Sequence, residues 1–187
     1  MTREPAEPDG AAAHEHEPAV ADPPRRLGLL LLVGIVIFAL DLGSKVVVVA
    51  TLSDRPPVRL LGGLIYVTEA RNTGAAFGLA EGMTVVFTLI AAGVIAVILR
   101  TAPRLRSTGW AWALGLIVGG ALGNLVDRVF RSPGVFRGGV VDFISVLDPG
   151  GQVWPIFNVA DSAIVCGAVL GVLMAFRGRD FDGGRSS

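Results

Sequence analysis

The apolar body of this chain contains no histidine: the only two, His14 and His16, both lie in the N-terminal tail. This removes the imidazole on which most catalytic zinc sites depend, so no metal is expected, and a serine-histidine pair is excluded as well. The single cysteine, Cys166, sits inside an apolar run. It cannot close an internal disulfide, and without an imidazole to activate it, it reads as a packing residue. The single lysine, Lys45, is the only candidate for a serine-lysine dyad, but its neighbour Ser44 points about 100° away around a helix. Basic residues are mostly scattered singly and the formal net charge is zero, which leaves no clustered patch for nucleic acid. No cofactor is expected.

What the chain has in abundance is apolar surface. Hydrophobic residues make up 52% of its 187 positions and the mean hydropathy is +0.63, a composition that marks an integral membrane protein of one domain. Residues 1–24 are the exception, rich in Pro, Ala, Glu and Asp; such a segment buries too little to fold and is too acidic for a secretory signal. It is expected to be a disordered tail. Four apolar runs follow, Leu27 to about Leu52, Met83 to Leu99, Trp110 to about Val129 and Pro155 to Phe176, each near the ~20 residues a helix needs to cross a bilayer. The expected fold is an all-α membrane protein, a four-helix transmembrane bundle over residues 25–178, with a C-terminal tail at 179–187.

Four spans put both termini on one side. Arg100, Arg104 and Arg106 crowd the short loop after the second span, and Arg177 and Arg179 follow the fourth, so the positive-inside rule assigns that side to the cytoplasm. Arginines 55, 59, 71, 131 and 137 lie in the two longer outer loops, where the rule is weaker. The stretch from Val58 to Thr68 is β-branched and punctuated by glycine, which predicts short strands and hence a small extracytoplasmic β-rich element. Asn72-Thr73-Gly74 is a turn signal before the second span.

With this topology the polar residues of the apolar body fall at the outer ends of the spans. Asp41 and Lys45 share one face of the first span; Asn124, Asp127 and Arg128 share one at the end of the third; Asn158 and Asp161 share one at the start of the fourth, by the three- and four-residue spacing of helical neighbours. Asn72 precedes the second. Ionisable groups at membrane depth are expensive and mark function by default. Two of them, Asp142 and Asp161, stand at or near the start of the last apolar run, and a pair of close carboxyls shares one proton. Such a pair can activate water with one member and polarise an amide with the other. Asp41, Lys45, Asp127 and Arg128 balance one another's charge and read as structural support. Gly119, Gly120, Gly123, Gly167 and Gly171 have the small-residue spacing of close helix packing, whereas Gly74 to Gly78 reads as a loop able to line a groove.

Five motifs occur in order: Asp41-Leu-Gly-Ser-Lys45, Arg71-Asn72-Thr-Gly74-Ala-Ala-Phe77-Gly, Gly120-Ala-Leu-Gly123-Asn124-Leu-Val-Asp127-Arg128, Val141-Asp142-Phe143-Ile144 and Phe157-Asn158-Val-Ala160-Asp161-Ser162. In these the chain, from about Leu27 to Phe176, resembles the lipoprotein signal peptidases (signal peptidase II), aspartic membrane proteases of bacteria. The resemblance implies that Asp142 and Asp161 are the catalytic pair. It also implies that Asn72, Asn124, Asp127, Arg128 and Asn158 shape the site, with Arg71 and Gly74 in the same motifs. The substrate it implies is a prolipoprotein carrying a diacylglyceryl group on its cysteine, cut just before that cysteine. A lipid-anchored cysteine would present its peptide bond at the outer leaflet of the cell membrane, where these aspartates are expected, with its acyl chains among the hydrophobic helices; membrane lipids are the other expected partner. Globomycin-like peptides are the implied inhibitors. The tail and the looser stretch from Phe130 to Gly139 depart from the shared pattern.

Two other readings compete. A proton- or cation-coupled carrier would hold its carboxylates at the membrane midplane, whereas here they gather at one leaflet. A scaffold binding lipid or a partner helix through its glycine faces would tolerate Asp142→Asn. The Gly-x-Gly-Asp signature of presenilin-like proteases is absent, since Asp142 follows Gly139-Val-Val.

Overall fold

The structure is a computed structural model that describes residues 24–74, 83–132 and 134–183. Four helices, α1 (Leu27–Leu52), α2 (Thr84–Thr101), α3 (Thr108–Phe130) and α4 (Val159–Phe176), are each long and apolar enough to cross a membrane. Three strands, β1 (Val58–Leu60), β2 (Ile65–Asn72) and β3 (Val140–Val146), form one antiparallel sheet in the order β1-β2-β3. Residues 1–23 of the expected tail and most of the Gly74 to Gly78 loop lie outside the described residues.

The third helix is the centre of the bundle. It packs on each of the other three helices and is the most buried of the four. Its sequence explains this: with little hydrophobic drive between helices in lipid, association depends on close packing, which small side chains permit. At Gly120 a Cβ would run into the Ala160 carbonyl and come within 2.9 Å of Ile164 Cγ1, so α3 and α4 touch backbone to backbone there. At Gly123 a Cβ would meet the Asp41 carboxylate, so this glycine clears the room for a buried acid. Helix α2 sits at the periphery, with long runs of exposed Val, Ile and Leu facing outward.

The strands expected between Val58 and Thr68 are β1 and β2, but the sheet has a third member. β3 is buried along most of its length and docks Val141 and Phe143 against Val48 of α1. Its alternation of Val, Phe and Ile carries the strand signal. Asp142 therefore stands on a strand, 17 residues before the first residue of α4, which corrects the expectation that it lies at or near the start of the last apolar run.

At the opposite end of the bundle, Arg26 N–H donates to the Leu105 carbonyl at 2.7 Å, and the chain after α4 turns back over the start of α3. The segment expected as a C-terminal tail thus begins as a packed strap: Phe181 rests on Trp110 and on the core cluster around Leu30 and Leu105.

Candidate active site

Sheet register brings Asp142 its first partner. β2 and β3 pair Ala70 with Asp142 and Asn72 with Val140, and residues two apart on a strand share a face. Asn72 therefore reaches along the sheet, and its Nδ2 donates to Asp142 Oδ2 at 3.0 Å. The asparagine's Oδ1 accepts from Gly74 N–H at 3.0 Å, closing the turn expected there.

The other edge of β3 brings the second partner. Phe143 and Ile144 N–H groups donate to the Phe157 carbonyl at 3.0 and 2.8 Å, and Phe157 N–H returns a bond to Ile144 O at 3.0 Å. This bridge fixes the next residue, Asn158, beside Asp142, and Asn158 Nδ2 donates to Asp142 Oδ1 at 2.7 Å. Asn158 is also the N-cap of α4, its Oδ1 accepting from Asp161 N–H at 2.9 Å while Asp161 Oδ2 accepts from Asn158 N–H at 3.2 Å. That reciprocal capping box satisfies two of the orphan donors at the helix start. One asparagine thereby ties both aspartates together, and Asn124 Nδ2 completes the hold on Asp161 Oδ1 at 2.8 Å.

Behind the pair lies an ionic cluster. Lys45 Nζ, fully buried, ion-pairs with Asp41 Oδ2 at 2.7 Å and Asp127 Oδ2 at 2.9 Å and donates a hydrogen bond to Asn124 Oδ1 at 3.0 Å. Asp41 Oδ1 accepts from the Ala160 N–H at 2.9 Å, another orphan donor of the α4 start. Asp127 accepts from Val141 N–H at 3.2 Å and from Arg131 Nε. A buried ion pair offsets its desolvation cost only when such hydrogen bonds are complete. The cluster locks α1, α3, α4 and β3 to one another, and it fixes the Asn124 amide with its oxygen toward Lys45 and its nitrogen toward Asp161.

Asp142 is 3% exposed. Burial first, and then the neighbouring Asp161, push its carboxyl from 3.8 up to about 7, against the pull of the Asn72 and Asn158 amides. Desolvation favours the neutral acid and a neighbouring acid disfavours a second charge, so Asp142 keeps its proton close to neutrality.

Both aspartates open onto a cavity of about 490 Å³. Asn72, Gly74 and Arg128 complete its polar side; Trp154, Pro155 and Ile156 form one apolar wall and Ile164, Val165 and Cys166 of α4 another. Arg128 is positioned by a 3.3 Å bond from Nη2 to the Gly74 carbonyl and by the Phe87 ring 5.4 Å from its guanidinium carbon. Its buried Nη1 has no hydrogen-bond partner among the described residues.

Eight of the eleven sequence-derived site residues, all but Arg71, Gly74 and Arg128, belong to this single hydrogen-bonded layer; Gly74 joins it through Asn72, and Arg128 through Gly74. Arg71 does not: its guanidinium pairs with Glu69, Nη2 to Oε1 at 2.6 Å, on the exposed side of β2. Alternation explains the difference, since Asn72 and Arg71 point to opposite faces of the strand. Cys166 is exposed on the cavity wall and is no core packing residue. Sequence reasoning missed Arg131 as the counter-ion of Asp127, although its four-residue spacing is a readable signal. It also missed the Trp154 wall, which no local pattern reveals.

A family model described as signal peptidase (SPase) II matches residues 33–177. Proteins named lipoprotein signal peptidase are similar throughout: that of Streptomyces griseus is 54% identical, covering 85% of this chain and 79% of its own, and that of Mycobacterium tuberculosis 51% identical, covering 89% and 80%. That of Rhodococcus jostii is 46% identical over 96% of this chain and 90% of its own. Among solved structures, a bacterial membrane enzyme determined by the in meso method matches with a TM-score of 0.74 at 24% identity, covering 90% of this chain and 99% of its own. With the fold shared, the family model spanning the bundle and the relatives half identical over most of their length, this multi-pass membrane protein belongs to the signal peptidase II family.

Proposed function

We propose that the chain is an aspartic endopeptidase that removes the signal peptide from diacylglyceryl-modified prolipoproteins, cutting just before the lipidated cysteine. The observation that carries this reading is a pair of carboxyls tied together by one asparagine at the floor of a cavity whose other walls are apolar. Relatives bearing the name lipoprotein signal peptidase support the substrate class, and they lend nothing to a carrier.

The pair has the means for general acid-base hydrolysis. Asp142, with its proton held near neutral pH, donates to the scissile carbonyl oxygen, while Asp161 takes a proton from the attacking water. The water oxygen bonds to the carbonyl carbon, the tetrahedral diol collapses, the carbon-nitrogen bond breaks and the amine leaves with a proton returned by the pair. No covalent intermediate is needed. Arg128 lines the same cavity, and the Trp154 and Ile164 walls suit the apolar residues and the lipid that flank the cut. A globomycin-like peptide would occupy the same groove.

Orientation follows from charge. Both ends of the described bundle, Arg25-Arg26 and Arg177, lie opposite the aspartates, with Arg100, Arg104 and Arg106 beside them. The positive-inside rule assigns that end to the cytoplasm and the dyad to the outer leaflet of the cell membrane, where a lipid-anchored cysteine presents its peptide bond.

A gel-shift assay tests the proposal: purified protein with a diacylglyceryl-modified prolipoprotein, its unlipidated counterpart as control. Cleavage of the lipidated form alone is expected. Failure of folded protein to cut it, or equal cleavage of the unlipidated form, overturns the reading.

A further inference from the structure

At the end of the bundle remote from the aspartates, residues 177–183 cross the start of α3. The N–H groups of Arg106 and Ser107 both donate to the Phe181 carbonyl, at 3.1 and 3.3 Å, and Trp110 Nε1 donates to the Arg179 carbonyl at 2.8 Å. The Phe181 ring stands 6.5 Å from the Trp110 ring. This strap encloses a cavity of about 380 Å³ between the first turn of α3 and the last turn of α4.

The cavity lining carries three guanidinium groups, from Arg106, Arg177 and Arg179, against one carboxylate, Asp180. The side chains of Arg177 and Arg179 have no hydrogen-bond or ion-pair partner among the described residues. Thr108 and Gly109, the first two residues of α3, also face the space; N–H groups at that position have no carbonyl within their own helix. Guanidinium and amide donors converging on one space are the chemistry that binds phosphate oxygens.

The surroundings select a lipid over a free anion. Met174 lines the same cavity, and the turn of α4 that carries it leaves Leu173 45% and Phe176 86% exposed on a helix able to cross a membrane. An amphiphile with its phosphate among the arginines and its chains along α4 meets both features. Basic pockets at the ends of membrane helices are suited to anionic headgroups. We propose that this cavity binds the phosphodiester headgroup of an anionic phospholipid, a site separate from the proteolytic one and independent of whether that reading holds.

The backbone of the strap is held by its own bonds, Arg177 N–H to Leu173 O at 3.1 Å and Arg179 N–H to Met174 O at 3.1 Å, so the arginine side chains can be changed without removing them. Native mass spectrometry of the full chain in neutral detergent, with equal amounts of phosphatidylglycerol and phosphatidylcholine, reads the selectivity. Wild type is expected to retain phosphatidylglycerol about tenfold over phosphatidylcholine, and the Arg177→Gln/Arg179→Gln double variant to lose that preference. Asp180→Asn, which removes the one carboxylate of the lining, is expected to strengthen retention. Equal retention of the two lipids by wild type, or an undiminished preference in the double variant, overturns the proposal. If the double variant does not fold, Asp180→Asn decides, and unchanged retention overturns it. Thermal stabilisation by inorganic phosphate equal to that by phosphatidylglycerol overturns the choice of a lipid.

Discussion

Two groups of acids lie side by side in this protein and are treated in opposite ways. Asp41 and Asp127 are buried, and each is compensated by Lys45, with Arg131 and backbone N–H groups meeting the remaining oxygens. Asp142 and Asp161 are held by amides of asparagine and backbone, with no cation in hydrogen-bond contact among the described residues. A compensated cluster is inert and rigid. A pair held only by neutral donors fixes geometry without cancelling charge, and it is the pair that opens onto the cavity. On the proposed reading, the same residue type serves as scaffold or reagent according to whether a cation is in direct contact with it.

The comparison breaks most sharply at the dyad itself. Asp142→Asn and Asp161→Asn should each lower cleavage by at least about 10³-fold, on the scale of removing an essential acid-base group, while thermal unfolding in detergent shows no loss of stability. Turnover retained by either purified variant would contradict the assignment. Lys45→Ala should do the reverse. It leaves buried Asp41 without a counter-ion and Asp127 with Arg131 alone, a loss of about 3–5 kcal/mol, read as a large drop in unfolding temperature or in yield, and any folded fraction should still cut substrate.

Smaller changes sharpen the same contrast. Gly120→Val forces α3 away from the Ala160 carbonyl, at about 1–3 kcal/mol of overpacking; an unfolding midpoint equal to wild type would contradict the close approach. The smallest expected effect is on pH dependence. Because the folded-state value for Asp142 is raised from 3.8 to about 7, the native protein binds more protons than the unfolded chain between those values, so stability contributed by this group is full below about 4 and declines as pH rises through 7. Cleavage should fall over the same upper limb as the acid loses its proton. Asn72→Ala removes a donor to the ionised form and should move that limb to higher pH, and a profile displaced downward would count against Asp142 as the acid.

The spans, the glycine seam and the polar layer were legible in the residues for concrete reasons. Four apolar runs of spanning length mark four helices, and Asp41/Lys45, Asn124/Asp127 and Asn158/Asp161 are bound to share faces by helical geometry alone. Only the tertiary structure revealed that Asp142 belongs to a strand, that Arg71 turns away to Glu69, that Cys166 lines the cavity, and that residues 177–183 form a strap. Each of these depends on pairing across long sequence separations.

By itself, the sequence determined which residues can share a helix face and how many times the chain crosses, because both depend on periodicity and transfer energy, which are local. It could not determine which acids would be neutralised. That was decided when β3 paired with Asn72 on one edge and Phe157 on the other and when α3 delivered Asn124 between Lys45 and Asp161. Charge compensation is a matter of contact within about 4 Å, and contacts between residues tens of positions apart exist only in the folded bundle.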